Sequence, residues 1–166
     1  MQYVGSELER LALIDLDPNH ADSLGRSAFN RYYYAAFLIT RETLGFMRSN
    51  WKGTAHAEIP NLLEKGLRKP AQAALRKQVK SGLLGNGDES RLLGDLNATG
   101  NELAQLLRSA YDARILADYE PEIKTNQSGG IIFLRSHKLT TASKWPARAE
   151  RLCAKLRRIW KEVGLV

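Results

Sequence analysis

The sequence predicts an all-α fold: a bundle of four to five helices, followed by a short β-hairpin and a basic C-terminal helix. Apolar residues recur at helical spacing through most of the chain. Residues 123–139 differ, because residues 123–125 and 131–134 are rich in apolar and β-branched side chains and flank a turn rich in asparagine and glycine, which predicts two strands of a hairpin. With 166 residues, of which 43% are hydrophobic, the chain is long enough to bury one core.

The first two predicted helices span residues 6–14 and 20–47. Pro18 separates them, because proline and the residue before it resist helix formation. Apolar side chains of the second helix point in nearly all directions, which is typical of a helix at the centre of a bundle.

Two shorter helices are expected next. Thr54 can cap a helix that ends near residue 67, although Pro60 in its second turn indicates a later start. A weaker helix is expected over residues 70–79, and residues 82–88 form a glycine-rich turn.

The following helix, predicted over residues 89–119, carries an arginine on its apolar face. The residues that share an arc of about 100° with Arg114 are Leu103, Leu106, Leu107, Ala110 and Ala117. Arginine keeps its charge, so Arg114 requires a carboxylate, a phosphate or a partner chain. Asp118 lies four residues later and can pair with it. The pair either fixes helix packing or places a phosphate-binding arginine beside polar groups.

The C-terminal region holds the whole net charge of +7, because residues 135–166 contain nine lysines and arginines but only two acidic residues. The last helix, predicted over residues 145–163, has one apolar stripe. Beside that stripe runs a basic ladder of Lys144, Arg148, Arg151, Lys155 and Arg158. This asymmetry favours contact with a polyanion, and a solvated helix face is the alternative.

Several kinds of site are not indicated. The three histidines are not paired at helical spacing, and the single Cys153 excludes an intrachain disulfide and a zinc signature. Phosphate-binding loops and nucleophile elbows are absent from the sequence, so we expect no cofactor and no metal. The cysteine content, with no signal peptide and no membrane-length apolar run, predicts a cytoplasmic protein.

The second predicted helix contains three consecutive tyrosines, Tyr32, Tyr33 and Tyr34. They favour core or interface packing, and stacking on nucleic-acid bases is the alternative. We expect the neighbouring Arg31 to pair with a carboxylate of another helix, such as Asp118 or Glu58, rather than to be catalytic. His56, near a helix start, is expected to be a capping or interface group.

Four short motifs, in this order along the chain, resemble HEPN domains. Residues 30–37 (NRYYYAAF) resemble the second-helix signature of that family, and residues 54–56 (TAH) resemble its Thr-His segment. Residues 81–84 (SGLL) resemble the turn before its fourth major helix, and residues 114–121 (RILADYEP) are similar to the end of that helix. The likeness identifies residues 1–122 as a HEPN-like bundle. Residues 123–166 would then be a hairpin and basic helix packed on the same domain.

The resemblance implies a homodimer. Many HEPN domains are metal-independent endoribonucleases of toxin–antitoxin and other prokaryotic defence systems, with an R-x(4–6)-H motif from each copy in one cleft. Others are non-catalytic modules that bind nucleic acid or a partner protein. The implied partners are RNA or another nucleic acid, an antitoxin, a nucleotidyltransferase or a larger defence effector.

This sequence departs from the ribonuclease motif at one position. Arg114 matches the motif arginine, but Tyr119 stands where histidine is expected. Histidine suits proton transfer near neutral pH, whereas tyrosine side chains ionise near pH 10 and are poor bases. Arg114 would stabilise the charged transition state, and Asp118 or Glu120 would replace the missing base. His56 would otherwise approach from another helix.

The sequence leaves two hypotheses, of which we favour the first and keep the second as the alternative. The first is a ribonuclease or toxin-like effector that uses Arg114, Asp118 and Tyr119, with Arg31 and Tyr33 as structural or cleft residues. The second is a non-catalytic dimeric module. In both, the basic ladder binds the nucleic-acid backbone. A ligand-sensing helical bundle is a third class.

Overall fold

The computed structural model describes residues 1–165, apart from the side chain of Asn86. It confirms a mostly helical fold with five helices of 13 residues or more and one small antiparallel sheet. The helices are α1 (Gln2–Ile14), α2 (Pro18–Met47), α3 (Ile59–Asn61), α4 (Arg68–Lys80), α5 (Asn86–Tyr119), α6 (Leu139–Ala142) and α7 (Trp145–Glu162). The strands are β1 (Asn126–Ser128), β2 (Ile131–Leu134) and β3 (His137–Lys138), paired in the order β1-β2-β3.

The chain forms two compact units, and α2, α5 and α7 each contribute a segment to both. The first unit contains Met1–Leu38 and Leu107–Arg148. The second contains Ile39–Leu106 and the chain from Ala149 onward. The division into a bundle over residues 1–122 and an extension over residues 123–166 comes from the resemblance and stays a prediction.

In the first unit, the α2 segment is buried on several sides, as its sequence pattern predicts. Phe29, Tyr32, Tyr33 and Phe37 are each at most 2% exposed. The Tyr32 hydroxyl donates a hydrogen bond to Glu9 of α1 at 2.7 Å. A Cβ atom at Gly5 would lie 2.8 Å from the Tyr32 ring, so the absence of a side chain there lets α1 pack closely. Burial and the Glu9 carboxylate raise the pKa of Tyr32 to about 12.

Asp22 anchors the segment that follows α5. Its Oδ1 accepts hydrogen bonds from the Thr125 backbone N–H at 2.7 Å and the Thr125 hydroxyl at 3.0 Å, and its Oδ2 lies 3.2 Å from Lys124 Nζ. Burial acts to raise the pKa of Asp22, but these bonds outweigh it and hold the pKa below its usual value. Arg26 adds hydrogen bonds to the Leu116 and Ile123 carbonyls.

This anchor explains why the hairpin differs from the prediction. Residues 123–125 were expected to form its first strand, but the Thr125 N–H is bound to Asp22, and β1 begins at Asn126. The turn consists of Gly129 and Gly130, both at positive φ. In the resulting register of β1 and β2, Gln127 lies opposite Ile132. A third strand and the short α6 follow, and the sequence pattern did not indicate either of them.

In the second unit, the helix predicted to end near residue 67 begins later than Thr54, as Pro60 indicates. A 3₁₀ turn (Ser49–Trp51) and a non-helical turn come first, and α3 begins only at Ile59. Pro60 occupies the first turn of α3, where its missing N–H costs nothing. A π-helical turn (Leu62–Gly66) then connects α3 to α4.

Gly100 explains how α5 packs against this π-helical turn. Glycine is unfavourable within a helix, but a Cβ atom at position 100 would lie 2.5 Å from the Leu63 carbonyl oxygen. The glycine therefore permits a close approach of two backbones. Gly94, in the same helix, has open space where a Cβ atom would lie, because no atom of the described residues beyond the adjoining helix backbone comes within 4 Å.

We predict opposite effects of alanine at these two glycines. Gly94→Ala should raise the free energy of unfolding by about 0.5–1 kcal/mol, since alanine favours helix. Gly100→Ala should lower it by at least about 1 kcal/mol, because the Leu63 backbone must move. Urea unfolding of the two variants measures the difference, and stabilisation by Gly100→Ala would show that the close approach is not required.

Candidate functional site

The buried face of α5 in the first unit carries Arg114, as the sequence predicts. Leu107, Ala110 and Ala117 are buried, and the Arg114 side chain is only 15% exposed. We refer to this arginine and the side chains around it as the Arg114 cluster. Its members are Asn30, Tyr34, Tyr111, Arg114, Asp118 and Tyr119.

Asp118 is the counterion of Arg114. The Arg114 Nε lies 2.8 Å from Asp118 Oδ2, one helical turn away. The other carboxylate oxygen, Oδ1, accepts a hydrogen bond from the side-chain amide of Asn30 on α2. The carboxylate is thus bound by α2 and by its own helix, so that the ion pair also joins the two helices.

Two aromatic rings complete the surroundings of the guanidinium. Its central carbon lies 4.9 Å from the ring centroid of Tyr119 and 6.0 Å from that of Tyr111. An Arg114 terminal nitrogen also donates a hydrogen bond to the Tyr119 hydroxyl at 3.2 Å. Tyr119 itself is 64% exposed, so this side of the cluster faces solvent.

The cluster keeps Arg114 charged. Burial acts to lower the pKa of Arg114, but the Tyr119 hydrogen bond, the Asp118 charge and the Tyr34 hydrogen bond outweigh it and raise the pKa. The positive charge is already balanced by Asp118. An incoming phosphate would therefore have to compete with a carboxylate that is held in place on both of its oxygens.

In the first unit, Tyr33 and Arg31 of α2 contact other side chains of the protein. Tyr33 is 1% exposed, stacks on Phe37 at 6.0 Å and contacts Tyr111 edge-on at 5.9 Å. Burial raises its pKa. The expected pairing of Arg31 with Asp118 is wrong, because the Asp118 carboxylate is bound by Asn30 and Arg114 instead. Arg31 instead lies 3.8 Å from the Met1 sulfur and 6.0 Å from the Tyr34 ring centroid.

Of the other candidates for a catalytic base, Glu120 is already paired and His56 belongs to the second unit. Glu120 Oε2 lies 3.3 Å from an Arg135 nitrogen, across the turn that follows α5. His56 belongs to the second unit, where it is half-buried in the turn before α3. In that turn the Thr54 hydroxyl donates to the Trp51 carbonyl at 2.8 Å, so Thr54 does not cap a helix.

A small polar pocket of about 320 Å³ opens beside the Arg114 cluster, between Asn30, Asp118 and the Asp22 anchor. Its cations are Arg26 and Lys124. Arg26 donates to two backbone carbonyls, and Lys124 pairs with Asp22. Both cations thus serve the fold, which limits the attraction of this pocket for an anion.

The apolar stripe of α7 is buried and its basic ladder faces outward, as the sequence predicts. Lys144 and Arg148 are exposed and belong to the first unit. Arg151, Lys155 and Arg158 belong to the second, and we call these three residues the α7 stripe. Arg151 and Arg158 are exposed, whereas Lys155 is half-buried.

Among the described residues, the ion pairs of the α7 stripe are long and lie at the surface. Lys155 Nζ lies 3.7 Å from Asp95, and Arg158 Nε lies 3.7 Å from Glu162. The Arg158 side chain is 70% exposed. Exposed pairs of this length contribute at most about 1 kcal/mol. The α7 stripe is therefore able to exchange these carboxylates for an external anion, unlike Arg114.

A groove of about 770 Å³ lies beside the α7 stripe, between α7 and the end of α2. Ile39, Glu42, Phe46, Glu150, Ala154, Arg157, Arg158 and Lys161 line it. Phe46 is 47% exposed, and Lys161 Nζ lies 5.9 Å from its ring centroid. Arg157 is held by a 2.6 Å hydrogen bond to the Thr43 hydroxyl.

Sequence reasoning missed Phe46. A helix that is apolar in nearly all directions does not reveal which apolar residue lies outside the core. The end of α2 is fixed instead by Trp160, whose indole N–H donates to the Met47 carbonyl at 3.1 Å. Met47 thereby turns inward, and Phe46 remains at the surface.

Within residues 1–165, no group of histidine, cysteine or carboxylate side chains is arranged to hold a metal ion. Over the same residues, none of the helices combines the length and the apolar character that crossing a membrane requires. No protein-family model, curated protein or solved structure matches the chain.

We predict that Arg114 and Asp118 are strongly coupled in stability. A double-mutant cycle with Arg114→Met and Asp118→Asn should give a coupling energy of about 1–3 kcal/mol, since the pair is largely buried. Arg91→Met and Asp95→Asn form the control, because this pair has the same spacing on α5 but side chains 58% and 43% exposed. The control should give about 0.5 kcal/mol or less.

Urea unfolding of the wild type and the six variants measures both coupling energies. Equal coupling energies in the two pairs would contradict a structural role for the Arg114–Asp118 ion pair.

Proposed function

We propose that this protein is a non-catalytic nucleic-acid-binding module, and that it binds RNA through α7 in its second unit. The observation that carries the proposal is the α7 stripe, whose exposed arginines adjoin a groove with an exposed phenylalanine. The resemblance to HEPN domains supports RNA as the polyanion, and it supports a role in prokaryotic defence or a toxin–antitoxin system.

The two parts of this surface suit the two parts of a nucleotide. Lysine and arginine side chains that bind phosphates release condensed counterions, which makes binding favourable and sensitive to salt. The Phe46 ring can stack on an unpaired base, and Lys161 lies close enough to reach the adjoining phosphate. Glu42 and Glu150 at the groove edge would repel phosphates and so confine the backbone to the side of the α7 stripe.

The Arg114 cluster supports binding without cleavage. Cleavage of RNA without a metal requires a base for the 2′-hydroxyl and an acid for the leaving oxygen. Tyr119 occupies the place of the motif histidine and accepts a hydrogen bond from Arg114. Asp118 and Glu120 are each paired with an arginine.

A metal-independent endoribonuclease is the second candidate, and one contact favours it. Arg114 and the exposed Tyr119 hydroxyl are already hydrogen-bonded at the protein surface. In this alternative a phosphate displaces Asp118, which stays bound to Asn30, and Arg114 stabilises the negative charge that develops.

The binding test compares two variants, in each of which two exposed arginines are replaced by glutamine. We expect Arg151→Gln/Arg158→Gln to weaken binding of a fluorescent single-stranded RNA about tenfold or more, and to lower the slope of log K against log salt by roughly two. Arg76→Gln/Arg91→Gln removes two exposed arginines elsewhere in the second unit and should change binding far less. Equal effects of the two pairs would mean that only net charge matters, and would refute a specific α7 surface.

The same RNA, incubated with the protein in EDTA and analysed on a gel, distinguishes the two candidates. We expect it to remain intact. If wild-type protein cleaves it and a folded Arg114→Lys variant does not, the endoribonuclease candidate replaces the binding module.

A further inference from the structure

The first helix exposes an unusual amount of apolar surface. Nine large hydrophobic residues among the described ones are exposed, and six of them lie in the first 16 residues. Four of these six share one side of α1, namely Tyr3 (76% exposed), Val4 (46%), Leu11 (38%) and Ile14 (64%). Contiguous apolar surface of this kind marks an interaction site.

The spacing on this side of α1 is that of a helix pair. Tyr3, Glu7, Arg10 and Ile14 follow one another at intervals of four, three and four residues, which places them along one seam. Val4 and Leu11 lie seven residues apart beside that seam. The opposite side of α1 is already occupied, because Gly5 and Ala12 are buried in the first unit.

We propose that this α1 seam binds the α1 seam of a second copy of the chain, with the two helices antiparallel. A twofold axis between residues 8 and 9 places Tyr3 of each copy against Ile14 of the other. It also places Glu7 of each copy against Arg10 of the other. Symmetry then makes every contact occur twice, as an isologous interface requires.

The charges on the seam favour a second copy of α1 as its partner. Glu7 and Arg10 already approach each other within one chain, with Arg10 Nε 3.1 Å from Glu7 Oε2. Their side chains are 41% and 58% exposed, and the arginine fork has further N–H donors for a second carboxylate. An antiparallel copy supplies that carboxylate and another arginine, so all four charges are paired.

The seam is unsuited to RNA and to an anionic membrane. α1 contains Glu7, Glu9 and a single arginine, so it offers no net positive charge to either of them. It also contains no member of the Arg114 cluster. The proposed interface is therefore distinct from the pairing of motif arginines that the HEPN resemblance implies, and it does not depend on RNA binding.

Charge reversal tests the pairing by sedimentation velocity at low salt. Glu7→Arg places arginine at positions 7 and 10, and Arg10→Glu places glutamate at both. Each variant alone should dimerise about tenfold more weakly than wild type, because like charges then face each other. An equimolar mixture of the two should dimerise as well as wild type, since every opposing pair is again opposite in charge. The double variant Glu7→Arg/Arg10→Glu should do the same.

The controls are Glu58→Arg and Arg68→Glu, which are exposed and lie outside α1, and they should leave dimerisation unchanged. A wild-type chain that stays monomeric at about 100 µM would overturn the proposal. A dimer insensitive to both α1 reversals would place the interface elsewhere. Weakening that neither the mixture nor the double variant reverses would refute the antiparallel register.

Discussion

The charge of Arg114 on the buried face of α5 is the constraint on which the first unit depends. Arginine cannot lose its proton at physiological pH, so the fold must supply a counterion and hydrogen-bond acceptors. Asp118 supplies the charge, Tyr119 accepts a hydrogen bond, and Asn30 of α2 holds the remaining carboxylate oxygen. One charge on an apolar face thus determines how two long helices meet.

The cations around Arg114 and along the α7 stripe fall into two groups, according to whether groups of the fold itself bind them. Arg114, Arg26 and Lys124 are bound by carboxylates or carbonyls of the fold itself. The cations of the α7 stripe make at most long and exposed pairs, and they can exchange them at little cost. The partner carboxylates differ in the same way, because Asp22 and Asp118 are largely buried whereas Asp95 and Glu162 are exposed. Burial of the partner therefore separates the positive charges that stabilise the protein from those that remain available to a polyanion.

The sequence predicts those features that depend on periodicity alone. The α7 stripe and the apolar face of α5 follow from helical spacing, and both are confirmed. The errors arise where a tertiary contact overrides a local preference. Asp22 binds the Thr125 N–H and shifts the start of β1, and the Leu63 carbonyl requires glycine at position 100. No local pattern identifies Asn30, rather than Arg31, as the partner of Asp118.

The central claim is that Asp118 neutralises Arg114 within the fold while the α7 stripe is available to RNA. NMR of the arginine Nε–Hε groups, titrated with single-stranded RNA and assigned with arginine-to-lysine variants, observes both groups of side chains at once. The resonances of Arg151 and Arg158 should shift with RNA concentration, and that of Arg114 should stay where it is. A shift of the Arg114 resonance with unchanged α7 resonances would contradict the account.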